Sequence, residues 1–568
     1  LLAALVYVAA TLLMTAPAWG HPLSSTVGGP GDSDKFMGFL TWFPFAITHG
    51  HNPLHMTWID LPNGINAMWD TTMPLGAILV WPVRALFGVV GAFNALLLVA
   101  LVLDGLFTYL WLRRHTRSDV AAVLGGLLMV AGPYASARAY GHLNLLLYFP
   151  LPLMFMVVED IIRDPRARAV RRGAWLGVLA AIQLLLSEEP LALGAVALLA
   201  AAAIAAALAP REAARRAVHM WRAALATVAG FLVVGGIPLG YQFFGPLIVH
   251  GAIQPHDLYV NDLMNFILPT SATAISLGGP SMTTGAYPVP WTGNAIEWNA
   301  YIGVPLLLLF AFTVARWWRS RWLLVVGATT VAMVVLSLGP HLHVNGIDHT
   351  HFPLPEAILD KLSVFDNILP NRFSLMTDFG LAAVIAVFVD RVVGAANLRR
   401  RLLGGAVVAV VAASLWPAVV PASPAIVPHF FDSNGDVTRI TPGTAVLVFP
   451  VPYVGPPATV EPALWQAVTD FRFKMVNGAS ISAGPGGTVS FGSTVEPLKC
   501  VADALQQTGT ASSCGTAPAA ILAQLQALKV RYVIVGPDTP FQPEITAYIT
   551  ALVGRMPSSD QGVQLWAL

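Results

Sequence analysis

Two aspartates, Asp32 and Asp34, stand in the segment GDSDKFMGFLTW, soon after an apolar opening run. Carboxylates two residues apart can serve one site from a turn, one as a base toward a hydroxyl, the other orienting that hydroxyl or holding a metal. The tripeptide is common by chance, so its weight comes from its place at the mouth of an apolar, membrane-type region. Arginine is scarce on the same side: before the tail, the polar loops there hold only Lys35, Arg84, Arg138, Lys361 and Arg372. Arg138 sits in YASARAYGHLN beside His142 and Asn144, and Arg372 sits in ILPNRFS. A guanidinium can grip a phosphate through two parallel hydrogen bonds, which makes Arg138, His142 and Arg372 phosphate-binding candidates; headgroup anchoring is the alternative for each arginine. Glu188 and Glu189 precede Pro190 at the end of a helical hairpin. Carboxylates at that depth are costly unless they face a cavity or a partner; otherwise they are a solvated turn. With Glu297 they are candidates for binding ligand hydroxyls. Trp58, like Trp42 and Trp69, is either an interfacial anchor or a stacking platform. His341 and His343, with His349 and His351, are candidate ligand contacts. The spacing of His49, His51 and His55 is loose, and no HExxH or cysteine-pair pattern supports zinc. A divalent metal remains possible but is not required.

The elements that must position these groups are mostly membrane helices. The chain has 568 residues, 56% hydrophobic and only 11% charged, with a mean hydropathy of +0.67. Soluble domains are typically about 25% charged. The net charge of +1 excludes charge-driven nucleic-acid binding. Eleven apolar helices are predicted, at roughly 2–18, 92–112, 119–134, 143–161, 173–188, 190–209, 223–243, 301–315, 322–338, 374–392 and 403–420. The opening run could instead be a secretory signal peptide, but the many later spans favour a first membrane helix. Residues 73–90 are apolar but carry Pro74, Pro82 and Gly88, and are expected to form an outer-face or re-entrant segment.

Charge sets the orientation. Five short loops hold Arg113, Arg114, Arg117; Arg163, Arg166, Arg168, Arg171, Arg172; Arg211, Arg215, Arg216, Arg222; Arg316, Arg319, Arg321; and Arg391, Arg399, Arg400, Arg401, which are 19 of the 31 Lys and Arg. Threading eleven spans places all five on one side, which the positive-inside rule makes the cytoplasm. The N-terminus is then cytoplasmic. The long loops 19–91, 244–300 and 339–373, together with the tail, lie outside, and so does any active site. After Pro421 the composition turns mixed. TAVLVFPV and VRYVIVG read as strands, and PAAILAQLQALK and PEITAYITALVGRM as helices. The chain thus divides into a membrane domain, 1–423, and an extracytoplasmic α/β domain, 424–568. Cys500 and Cys514 both lie in the latter, where a disulfide can form; two buried thiols are the alternative.

The ordered segments GDSDKFMGFLTW…HGHNPL…LPNG, NALLLVALVLDGLFTYLWLRR, AGPYASARAYGHLNLLLYFPLPLMF, WNAYIGVPLLLL, LSLGP and LPNRFSLM, spread over residues 31–376, resemble the GT-C superfamily of polytopic membrane glycosyltransferases, and more closely a bacterial, actinobacterial group within it. The tail carries none of these motifs. The resemblance implies a GT-C-like fold of about 11 transmembrane helices in a bacterial plasma membrane. It implies inverting transfer of a sugar from a polyprenyl-phosphate donor to a cell-envelope glycan or glycolipid acceptor on the outer face. It also implies an acidic base in the first outer loop. Asp32 best fits that loop aspartate, ten residues before Trp42, and Asp34 is an additional carboxylate with which it could exchange roles. Arg138, His142 and Arg372 would then face the donor phosphate, and Glu188, Glu189, Glu297, Trp58, His341 and His343 the sugar or acceptor. Some relatives use a divalent metal and others do not. The competing readings are a transporter or flippase of a lipid-linked glycan, which would need polar groups near the midplane, and a non-catalytic membrane scaffold.

The expected topology is checked by cysteine labelling in intact cells, with one probe introduced as Arg168→Cys and another as Ser433→Cys. Only the Ser433→Cys protein should react with an impermeant reagent; equal labelling of both would reverse the assignment.

Overall fold

The computed structural model describes all residues except 30, 165, 167, 277–290, 363–364 and 453–459. Pro30 of the GGPG turn and part of the outer loop 244–300 therefore lie outside the described residues. In chain order the helices are α1 (Leu2–Met14), α2 (Asp32–Thr48), α3 (Pro74–Leu112), α4 (Asp119–Ala131), α5 (Pro133–Arg138), α6 (Pro150–Arg163), α7 (Ala169–Leu186), α8 (Glu188–Leu208), α9 (Pro210–Phe244), α10 (Val304–Arg316), α11 (Arg321–Ser337), α12 (Glu356–Leu359), α13 (Ser374–Val393), α14 (Leu398–Ser414), α15 (Glu461–Val468), α16 (Leu498–Thr508), α17 (Pro518–Ala527) and α18 (Gln542–Val553). Among the described residues, seven helical stretches are long and apolar enough to cross a membrane: Pro74–Leu112, Asp119–Arg138, Leu143–Arg163, Ala169–Leu186, Glu188–Leu208, Pro210–Phe244 and Pro370–Val393. Leu2–Met14, Val304–Arg316 and Arg321–Ser337 are apolar but shorter. At 1.5 Å per residue a 13-residue helix spans about 20 Å, less than the hydrocarbon core of about 30 Å.

Two elements differ from the sequence expectation. Residues 74–112 are helical almost throughout, with a break only at Gly88 (φ 74°, ψ 178°). Pro74 stands in the first turn, where no amide donor is needed, and the helix accommodates Pro82. The basic segment 211–222 is not a loop: it forms the first turns of α9, supported by a Glu212–Arg216 pair one turn apart.

The chain groups into two compact units; one switch between them falls at 422/423, and residues 21–95 and 237–251 group with the tail. Unit 1 contains Leu1–Gly20, Leu96–Gly236 and Ala252–Ala422; unit 2 contains His21–Ala95, Ile237–Gly251 and Ser423–Leu568. In unit 1, α13 is buried along almost its whole length. Small residues let helices approach it: a Cβ on Gly125 of α4 would stand 2.8 Å from the Ala382 carbonyl of α13. At one end of the bundle, Glu159 accepts hydrogen bonds from Trp111 (3.0 Å), His115 (2.8 Å) and Trp322 (3.2 Å), tying α6 to α11 and to the end of α3. Glu159 is thus a structural knot, not the solvated carboxylate its position near a helix end suggests.

Unit 2 contains a five-stranded sheet in the order Ser558–Asp560, Val563–Ala567, Val530–Val535, Thr444–Phe449, Phe473–Met475. Val530–Val535 runs parallel to Thr444–Phe449 and antiparallel to Val563–Ala567. Helices α16, α17 and α18 cover it through Val501, Leu505, Ile521, Leu525, Ile545 and Ile549. Cys500 and Cys514 are disulfide-bonded. The first outer loop completes the unit by capping the sheet edge. Met475 donates its amide to the Trp58 carbonyl (2.8 Å), and Leu61 donates to Met475 (3.3 Å), so the edge is not left as an open template. Gln466 donates to the Trp58 carbonyl at 2.9 Å, and the Ile481 amide to Asp70 at 2.8 Å. Lys35 pairs with Asp70 at 2.7 Å.

Asp60, at φ 51°, accepts from the Ser480 hydroxyl within this seam. Burial pushes its pKa from 3.8 to about 7, the Ser480 bond opposing and Asp70 adding to the rise. Folding therefore favours protonated Asp60. Its contribution is full below pH 4 and is lost as pH rises toward 7, at a cost of at most about 4 kcal/mol. Asp60→Asn is expected to be more stable than the parent at pH 8 and nearly equal at pH 4, measured by thermal unfolding across that range.

Candidate functional site

Unit 1 brings together side chains from four distant stretches of sequence. Arg138 ends α5, which starts at Pro133 and is only six residues long. His142 lies four residues on. Asn371 and Arg372 occupy the turn Pro370–Phe373 that leads into α13. Glu297 ends the turn Ala295–Glu297 of the outer loop. Glu189 stands in the first turn of α8.

Glu297 is the hub. Arg138 Nη1 donates to Oε2 at 2.7 Å and Arg372 Nη2 to Oε1 at 2.7 Å. Asn371 Nδ2 donates to Oε2 at 2.8 Å and to the Glu297 carbonyl at 3.0 Å. His142 Nδ1 lies 3.2 Å from Arg138 Nη1, and the Tyr134 ring lies 5.3 Å from the Arg138 guanidinium. Burial alone would raise the Glu297 pKa, but the charges of Arg138, Arg372 and His142 and the Asn371 hydrogen bond hold it well below the usual carboxylate range. Glu189 makes a looser contact, with its Oε1 3.5 Å from Arg372 Nε.

Both arginines are buried, Arg138 with no exposed surface and Arg372 at 5%. Yet Arg138 Nε and Nη2 and Arg372 Nε and Nη1 have no hydrogen-bond partner among the described residues. Buried donors without acceptors are unfavourable by roughly 1–3 kcal/mol each, more when charged. Donors of this kind are ones that an oxyanion with several acceptor oxygens, such as a phosphate, satisfies.

The remaining candidates fall elsewhere. In unit 2, Asp32 is exposed at the start of α2, whereas Asp34 is buried. Burial, then the neighbouring charge of Glu461, raises the Asp34 pKa to about 7. Trp58 does not offer a ring face for stacking on a sugar. It is buried, its indole N–H donates to the Phe471 carbonyl at 2.9 Å, and Lys474 Nζ lies 4.2 Å from its ring centroid. The edge-capping role of residues 58–61 draws it into the core of unit 2. His343 is buried in the hairpin of His341–Val344 and Ile347–Pro353, with Nδ1 3.2 Å from the His341 carbonyl and Nε2 3.8 Å from Asp348. Glu188 is half-buried beside Glu189 in α8. Among the described residues no three His, Cys, Asp or Glu side chains come together as metal ligands. Sequence reasoning missed Asn371 and Tyr134. Asn371 precedes Arg372 directly, but nothing in the sequence says that its amide turns to Glu297.

A family model described as "Domain of unknown function (DUF6311)" matches residues 1–416. No curated protein matches the chain. Among solved structures, the Archaeoglobus fulgidus oligosaccharyltransferase in the apo form aligns over 98% of this chain and 71% of its own, at 12% identity and TM-score 0.51. The same organism's oligosaccharyltransferase AglB, in complex with an inhibitory peptide and a dolichol-phosphate, aligns over 98% and 70%, at 11% identity and TM-score 0.50. The arabinofuranosyltransferase AftD from Mycobacteria aligns over 100% of this chain but 39% of its own, at 14% identity and TM-score 0.57. The chain therefore has the fold of the GT-C membrane glycosyltransferases, and spans about two fifths of AftD.

Removing the hub should be costly. Glu297→Ala would leave two buried guanidiniums facing each other, a change expected to destabilise by about 3–5 kcal/mol. It should lower the thermal unfolding midpoint more than Glu297→Gln, which keeps one acceptor.

Proposed function

The chain belongs to the DUF6311 family, and we propose that it is a membrane glycosyltransferase that moves a sugar from a polyprenyl-phosphate donor to a cell-envelope glycan or glycolipid on the outer face of the membrane. The observation that carries this reading is the pair of buried arginines with four nitrogens that find no acceptor among the described residues, in a chain whose fold is shared with glycosyltransferases. One of those was solved with a dolichol-phosphate, and a phosphate borne on a lipid is the ligand that suits a cationic cradle in a bundle of apolar helices.

The chemistry is a displacement at the anomeric carbon. The acceptor oxygen forms the new bond from the face opposite the phosphate, the bond from that carbon to the phosphate oxygen breaks, and its electron pair leaves with the polyprenyl phosphate. The configuration inverts. Arg138 and Arg372 meet the charge that develops on the phosphate, already oriented by Glu297, so little reorganisation is needed in the transition state. Glu297 is thereby a positioning residue, spoken for by both guanidiniums. For the acceptor proton the family resemblance implies Asp32, which is exposed, whereas Asp34 is buried, its pKa raised to about 7 by burial and by the charge of Glu461.

The test uses the purified full-length protein in lipid nanodiscs with a radiolabelled polyprenyl-phosphate sugar and cell-wall glycan acceptors. Arg138→Gln and Arg372→Gln should each lose a charged hydrogen bond of about 1.5–3 kcal/mol, weakening donor binding and transfer together. Asp32→Asn should slow transfer by about 100- to 10,000-fold while donor binding survives. Parental rates in both Asp32→Asn and Asp34→Asn would move the base elsewhere. Movement of lipid across the bilayer without a new glycosidic bond would replace the enzyme by a transporter.

A further inference from the structure

Two guanidiniums and two carboxylates meet at the cluster in unit 1, so their formal charges cancel. A bound phosphodiester would add a negative charge to a site that is already balanced. Binding is then favourable only if one carboxylate gives way, and the two are held very differently. Glu297 is gripped by both arginines at 2.7 Å and by Asn371 at 2.8 Å, with its side chain 4% exposed. Glu189 reaches Arg372 Nε only at 3.5 Å, with its side chain 20% exposed. Its Oε1 and that Nε both lack a hydrogen-bond partner among the described residues. The contact is an ion pair at 3.5 Å without a hydrogen bond between the two atoms.

We propose that Glu189 is the internal counter-ion of this site: it neutralises Arg372 before the donor binds and yields it to the donor phosphate. The inference rests on reading the arginine pair as the phosphate site. The position of Glu189 suits the exchange. It lies in the first turn of α8, where the helix amides present a positive end that can keep the carboxylate charge once it leaves Arg372. The ionisable groups facing it are Arg372, Glu297, Arg138 and His142. Of these, Arg372 forms an ion pair with it, at 3.5 Å. Glu189 therefore sets how tightly the site holds an anion, and so how readily the product polyprenyl phosphate leaves.

Binding is measured with the full-length protein in nanodiscs, using farnesyl phosphate as probe and farnesol as the uncharged control. Glu189→Gln removes one negative charge a few ångströms from the phosphate and is expected to tighten farnesyl phosphate binding about tenfold or more, with farnesol unaffected. Glu189→Asp draws the carboxylate back from Arg372 and should tighten binding by a smaller factor; it also serves if the glutamine variant does not fold. In turnover, Glu189→Gln should lower both KM for the donor and kcat, because the phosphate product is retained. A purely structural role for Glu189 would not make an anion bind more tightly. If Arg372→Gln abolishes farnesyl phosphate binding but both Glu189 variants bind as the parent or more weakly, the counter-ion role is overturned while the phosphate site stands. If Arg138→Gln and Arg372→Gln bind farnesyl phosphate like the parent, the phosphate site itself is wrong.

Discussion

A guanidinium buried among apolar helices is tolerable only where a negative charge is held against it, and in unit 1 Glu297 supplies that charge to two arginines at once. The desolvation of Arg138 and Arg372 would otherwise cost several kcal/mol per ion. Because both oxygens of one carboxylate are committed, the end of α5, the turn 295–297 and the turn leading into α13 are fixed relative to one another. The remaining guanidinium nitrogens, Nε and Nη2 of Arg138 and Nε and Nη1 of Arg372, find no acceptor among the described residues. A hydrogen-bond network that is complete on one side and open on the other is expensive in a purely structural element. It is reasonable in a site that a ligand finishes.

Glu297 and the aspartates of unit 2 illustrate how environment divides roles among carboxyl groups. Burial disfavours the charge of Glu297, but the surrounding cations overcome it, so it stays ionised. In unit 2, Asp34 and Asp60 are buried without such cations in direct contact, and both are pushed to about pH 7. Asp32, two residues from Asp34 but on the exposed side of the same helix turn, keeps access to solvent. Two positions within one helix turn therefore separate a buried carboxyl from an exposed one.

Unit 2 owes its composition to a different constraint. A sheet edge exposed beside Phe473–Met475 would be available for pairing with other chains. Residues 58–61 of the first outer loop cover it, and Asp60, Asp70 and Trp58 fasten the cover. This explains why a tryptophan that looks suited to a sugar is instead part of the core, and why the loop and the tail form one compact body although about 400 residues separate them.

Composition and periodicity in the sequence determined that the chain is helical and membrane-embedded, and where its apolar helices run, because bilayer thickness and the cost of burying charge act on local stretches of chain. Arginine scarcity singled out Arg138 and Arg372 for the same reason: a charge that is rare in its surroundings is kept by some compensating contact. The identity of that contact was not legible. Glu297 lies 159 residues from Arg138 and 75 from Arg372, and its sequence neighbourhood carries no sign of either. The fates of Glu159, Trp58 and residues 74–112 were likewise decided by tertiary structure. Burial, hydrogen-bond completion and helix continuity past a proline depend on what packs alongside, and that is set by segments far away in the chain.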